Sequence, residues 1–77
     1  MPIIDMVATG KRINELRIQR GISIKDISIA LGFSTPQVVY KWIYGRNLPT
    51  VDNLVILAHV LGVRIDDILV LINTEVA

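Results

Sequence analysis

Apolar residues recur along this 77-residue chain at helical rather than strand spacing. Ile13 and Leu16, then Ile27 and Leu31, then Val39 and Trp42, then Leu54, Leu57, Ala58 and Leu61 each fall at i, i+3, i+4 or i+7 separations, which line one face of a helix. Between these stripes stand the residues that end helices: Gly21, Gly32, Gly45 and Gly62 each follow one, and a glycine can take the left-handed conformation that stops it. No alternating strand pattern, internal repeat, linker or low-complexity tract interrupts the series. The pattern predicts an all-α fold, a compact bundle of five helices in one domain spanning residues 1–77, with a core over about 9–71 and short apolar tails.

Helix starts are marked as clearly as the stops. Thr9 is placed to cap a first helix running to about Arg20, with Lys11, Arg12 and Asn14 on its outer face. Ser23 caps the second, with Asp26 completing a capping box and Ile22 and Ile27 forming a hydrophobic staple. Thr35 as cap and Pro36 at the first helical position begin the third, since proline lacks an N–H that the helix would leave unpaired there. Thr50 caps the fourth, and Asp52 sits near its positive dipole end. A short fifth helix from about Ile65 to Leu71 carries Asp66 and Asp67 in its first turn and offers Ile68, Leu69 and Ile72 for burial.

The second and third helices, joined through Leu31-Gly32-Phe33-Ser34-Thr35-Pro36, have the layout of a helix-turn-helix. The third would bury Val39 and Trp42 and leave Gln37, Tyr40, Lys41 and Tyr44 on its opposite side. A major groove about 12 Å wide admits one helix, and base edges are read by hydrogen-bonding side chains near its N-terminal turns. Thr35, Gln37, Tyr40 and Lys41 supply such a set: Gln can pair both ways with adenine, and Lys favours the guanine acceptors. A structural helical hairpin with a polar outer face is the alternative on these residues alone.

Charge sharpens the choice. The formal net charge is only +1, and a pI near 8.2 lies below the value of about 9 of strongly basic nucleic-acid binders. Up to Thr50, however, seven basic residues (Lys11, Arg12, Arg17, Arg20, Lys25, Lys41 and Arg46) face three acids, whereas from Val51 onward only Arg64 faces four. The positive field therefore lies on the half that carries the helix-turn-helix, where phosphates would be met.

The rest of the composition mostly excludes. Without cysteine there is no disulfide, thiolate catalysis or cysteine metal site, and the single histidine, His59, has no ligand-type residue at i+4. No nucleophile–base pair, metal spacing or glycine-rich phosphate cradle suggests an enzyme. No cofactor, metal or small-molecule substrate is expected. Hydrophobic residues make up 52%, with mean hydropathy +0.55, yet charges interrupt every apolar run well before the roughly 18 residues of a membrane span. The N-terminus has no basic stretch before an apolar one, so no signal peptide is read and a cytoplasmic protein is expected.

Together Leu16-Arg17, Gly21-Ile22-Ser23, Leu31-Gly32-Phe33-Ser34, Lys41-Trp42, Gly45, Leu48-Pro49-Thr50, Leu57-Ala58, Leu61-Gly62-Val63 and Asp66-Asp67-Ile68-Leu69 resemble the Cro/phage-repressor (Xre-type) helix-turn-helix family of bacterial transcription regulators. The resemblance runs from about Gly10 to Leu69. It implies a lambda-repressor-like domain that docks helix 3 in the major groove as a two-fold dimer, with half-sites about 34 Å apart. It places Thr35, Gln37, Tyr40, Lys41 and Tyr44 at base-contacting positions, and Ser34, Lys25, Arg17, Arg46 and Asn47 at phosphate-contacting ones. The chain also departs from the family pattern. Ile24 stands where a phosphate-touching Gln is common, with Lys25 as its substitute, and Ile43 replaces an acid that pairs with the helix 1 arginine, which would free Arg17 for DNA or solvent. One residue is added around Thr35-Pro36, and Arg64 replaces the serine cap of helix 5, which would leave that helix a ragged start.

Helix 4 exceeds the pattern. Val55, Ile56, His59 and Val60 stand where the family is polar, and with Leu71 and the apolar tails they suggest a homodimer interface, with His59 packed or at its rim. The alternative within one chain is that the tails fold back over helix 4. The leading functional reading is a sequence-specific regulator, most simply a repressor at a palindromic operator. The runner-up is a protein-interaction module of the same fold, an antitoxin or anti-regulator with a protein partner, for which Ile24, Ile29 and Ile43 speak.

Overall fold

A computed structural model describes residues 3–72, and Glu75, counted above among the acids, lies outside them. Five helices follow in order: α1 (Met6–Gln19), α2 (Ile24–Ala30), α3 (Gln37–Ile43), α4 (Val51–Leu61) and α5 (Ile65–Ile68). The stripes read from the sequence meet in one core. Ile13, Leu16, Ile27, Val39, Trp42, Leu54, Leu57, Ala58, Leu61 and Ile68 are all buried, and Phe33 closes on the Trp42 ring edge-to-face at 5.9 Å. No helix of the described residues is long and apolar enough to cross a membrane.

Two caps are as expected. The Ser23 hydroxyl accepts from the Asp26 amide at 3.0 Å, and Thr50 accepts from the Asn53 amide at 3.3 Å. Three other boundaries differ: a better cap moves the start of α1, long-range partners shorten α5, and α3 starts one residue later than expected. α1 begins four residues before the expected start, at Met6, because the Asp5 carboxylate accepts from the Ala8 amide at 3.0 Å. Thr9 is thereby not a cap; it is fully buried, and its Oγ1 accepts from the Val70 amide at 3.0 Å across the bundle. α3 begins at Gln37, with Pro36 in the capping position and no side-chain cap, so Thr35 lies exposed in the preceding turn.

α5 ends at Ile68 rather than Leu71. Leu69 is already extended, and the chain beyond it pairs with the N-terminal segment: Asp5 donates its amide to the Val70 carbonyl at 2.8 Å and Ile72 to Ile3 at 2.7 Å. A single antiparallel bridge, Ile4 with Leu71, results. These cross-chain bonds outcompete one further helical turn, which leaves Leu69 half-buried and Ile72 exposed. The start of α5 is not ragged despite Arg64. A guanidinium can only donate, but the Asp67 carboxylate reaches back to accept the Arg64 amide at 2.9 Å.

Among the described residues, 3–5 thus pair with 70–72 instead of folding over α4. Val55 and Ile56 stay 51% and 40% exposed, and His59 is exposed as well, whereas Val60 packs half-buried against its own core. Leu71 is exposed on the bridged segment. Beside that segment an open apolar groove of ≈ 670 Å³ runs between Ile3, Ile4, Met6, Val7, Leu48 and Ile72.

Candidate nucleic-acid interface

α3 is held from behind and bare in front. Its rear face, Val39 and Trp42, is buried in the core, while Gln37, Tyr40, Lys41 and Tyr44 form the opposite i, i+3, i+4, i+7 stripe, all exposed. Gly45, with φ +71°, ends the helix: its amide bonds the Trp42 carbonyl at 3.0 Å, and the Arg46 amide bonds Lys41 at 2.9 Å. That turn folds Arg46 back beside the stripe. Gln37, Tyr40, Lys41, Tyr44 and Arg46 together line a shallow surface depression of ≈ 170 Å³. Within it the Tyr40 and Tyr44 rings lie nearly parallel, 16° apart with centroids at 6.0 Å.

The other residues singled out from the sequence lie outside this depression. Ser34 and Thr35 are exposed in the turn between α2 and α3, Lys25 is exposed in the first turn of α2, and Asn47 is exposed in the loop after α3. Arg17 is not free, as the loss of an acid at Ile43 had suggested. Its Nε donates to Asn14 Oδ1 at 2.8 Å and its guanidinium also reaches the Ile22 carbonyl at 3.5 Å, so local acceptors replace the missing acid. Arg12, read as an outer-face residue, donates from Nε to the Asp67 carbonyl at 2.8 Å and ties α1 to α5. Ile24 packs against the core, so its departure from a polar residue is a matter of packing.

What positions α3 includes two residues the sequence reading passed over or used only as punctuation. A Cβ on Gly10 would fall well inside contact of the Trp42 carbonyl oxygen and 2.6 Å from that of Ile43. α1 therefore lies backbone-to-backbone against the end of α3. Gly45 repeats the device, since a Cβ there would stand 2.7 Å from Val7 Cα. A glycine inside a helical run costs helix stability, and that cost was the available signal for a close approach at Gly10.

Comparison with known proteins agrees with this architecture. A helix-turn-helix family model matches residues 13–68. The restriction-modification controller protein C.AhdI from Aeromonas hydrophila is similar in structure, with a TM-score of 0.75 at 25% identity, over 83% of this chain and 96% of that one. The DNA-binding domain of BldD from S. venezulae gives a TM-score of 0.71 at 24% identity, over 86% of this chain and 97% of that one. HppE, in its apo form, gives 0.77 at 25% identity, but the 86% of this chain that aligns corresponds to only 36% of that chain. No curated protein matches. With α2 and α3 as its helix-turn-helix and more than half its length within the family match, the chain belongs to the helix-turn-helix family, of the Cro/phage-repressor (Xre) type.

Proposed function

We propose that this chain is a DNA-binding transcription regulator that lays α3 in the major groove and acts as a repressor at a palindromic operator, as a homodimer. The observation that carries the reading is the outward stripe of α3. Gln37, Tyr40, Lys41, Tyr44 and Arg46 share one exposed depression on the half of the chain with the basic surplus. Hydrogen-bonding groups for base edges and cations for phosphates are the two requirements of specific binding, and both are supplied there. Lys25, Ser34, Asn47 and a bound-state Arg17 are the further phosphate contacts, with Thr35 at the edge of base readout. The dimer forms through Val55, Ile56, His59, Val60 and Leu71, and the cytoplasm is its place of action. Similarity to a controller protein and to a DNA-binding domain supports the reading; likeness to part of the longer HppE chain supports only the fold.

Selection from random duplex DNA tests specific binding and the two-fold symmetry of the site together. Enrichment of a palindrome with half-sites about one helical turn apart is expected, with affinity falling steeply as salt rises. Gln37→Ala should weaken the selected site more than random DNA. Failure to enrich any sequence, or binding indifferent to salt, would overturn the proposal.

A second reading, a protein-interaction module, is favoured by one observation: Ile29 on α2 is 63% exposed, beside the recognition elements. It predicts a defined complex with a protein partner that survives Ala at Gln37 and Lys41 but not Ile29→Lys.

A further inference from the structure

The stripe on α3 contains more apolar surface than phosphates or polar base edges can use. Tyr40 is 38% and Tyr44 66% exposed, and their rings stack nearly parallel into one aromatic slab. Gln37 stands one turn N-terminal to Tyr40, and the cations Lys41 and Arg46 flank the slab. From Gln37 to Tyr44 the helix advances about 10 Å, or roughly three base-pair steps. Laid along a major groove, Gln37 at the leading end and the two rings behind it would reach neighbouring base pairs. Of the groups on the floor of the major groove, the N7, O6 and O4 acceptors and the amino donors all call for polar partners. The thymine C5-methyl is the one that gains from an apolar surface.

Resting on the DNA-binding reading above, we infer that the Tyr40–Tyr44 stack is a thymine-methyl reader, and that the half-site beneath α3 holds A·T pairs, with Gln37 on an adenine and the rings against the methyl groups of neighbouring thymines. The rings are preorganised for this role. Each restricts the other before DNA arrives, so less side-chain freedom is lost on binding than for two independent aromatics. Cytosine presents a hydrogen in place of the methyl and an amino donor beside it, and discrimination against it follows from lost apolar contact. The hydroxyls contribute less to that choice than the rings.

The test uses the full chain and the duplex enriched by selection. Deoxyuridine replaces thymine at each half-site position in turn, which deletes only the methyl group and preserves base pairing. Binding should weaken about threefold to fourfold for each contacted methyl, the factor expected from one buried methyl-sized group. Tyr40→Ala and Tyr44→Ala should lower affinity for the thymine duplex and abolish the difference between thymine and deoxyuridine at the position each ring covers. Tyr→Phe at either position should retain that difference. Both residues are surface-exposed, so circular dichroism should show all four variants folded. Equal binding of thymine and deoxyuridine duplexes, or a difference that persists unchanged in both Ala variants, overturns the inference while leaving DNA binding intact. Failure to enrich any duplex overturns the DNA-binding reading itself.

Discussion

Gly10→Ala is the substitution whose outcome separates local propensity from tertiary packing. Gly10 lies within α1, and on an isolated helix alanine would add about 1 kcal/mol of stability. In the folded chain the new methyl group would press on backbone, not on a flexible side chain. It would stand 2.6 Å from the Ile43 oxygen, 2.9 Å from the Ile43 carbonyl carbon and closer still to the Trp42 oxygen. Ordinary contact requires roughly 3.5 Å, so α1 and the end of α3 must part by about 1 Å. The Trp42 oxygen also accepts the Gly45 amide that closes α3, so the same shift disturbs the turn carrying Arg46. Overpacking a core costs about 1–3 kcal/mol, and a backbone clash belongs at the upper end. Set against the propensity gain, a net loss of about 2 kcal/mol is expected, which lowers Tm by roughly 8–16 °C in a domain of this size. Thermal melts followed by circular dichroism, with Lys11→Ala on the exposed face as control, provide the measurement. DNA affinity of the still-folded variant should fall as well, because α3 rests on this contact. A Tm for Gly10→Ala equal to or above that of the parent would refute the close approach of α1 and α3.

Other outcomes follow from single contacts. Thr9→Val removes the acceptor of the Val70 amide from a fully buried site, and a loss of about 1–3 kcal/mol is expected, with hydrogen exchange at Val70 accelerated more than at Leu57. Leu57→Ala should cost about 2–5 kcal/mol in urea unfolding, because the side chain is wholly enclosed. Arg46→Ala should weaken selected and random duplexes alike and reduce the salt slope of log K by about 1, whereas an effect confined to one sequence would place Arg46 on a base. Val55→Asp with Ile56→Asp should give a monomer in analytical ultracentrifugation and weaken the palindrome much more than a single half-site. An unchanged sedimentation coefficient would move the dimer interface elsewhere.

The sequence by itself determined the number and order of the helices, the Ser23 and Thr50 caps, the outward stripe of α3 and most of the core, although Leu31 and Leu69 are only half-buried and Ile72 is exposed. These rest on local physics: spacing of 3.6 residues per turn, and glycines and hydroxyl residues acting within a few positions of where they stand. Tertiary structure decided whatever depended on a distant partner. Thr9 looks like a cap in sequence, but a Val70 amide 61 residues away claims its hydroxyl and leaves capping to Asp5. α5 stops short because Asp5 and Ile3 offer its continuation better hydrogen bonds than another turn would. Arg12, on the outer face of α1, finds the Asp67 carbonyl 55 residues away. The recognition face was legible as a list of residues because a helix fixes which side chains share a side. The fold-back of Arg46, the stacking of Tyr40 on Tyr44 and the seating of α3 against Gly10 depend on rotamers and on the approach of two backbones, and no periodicity encodes those.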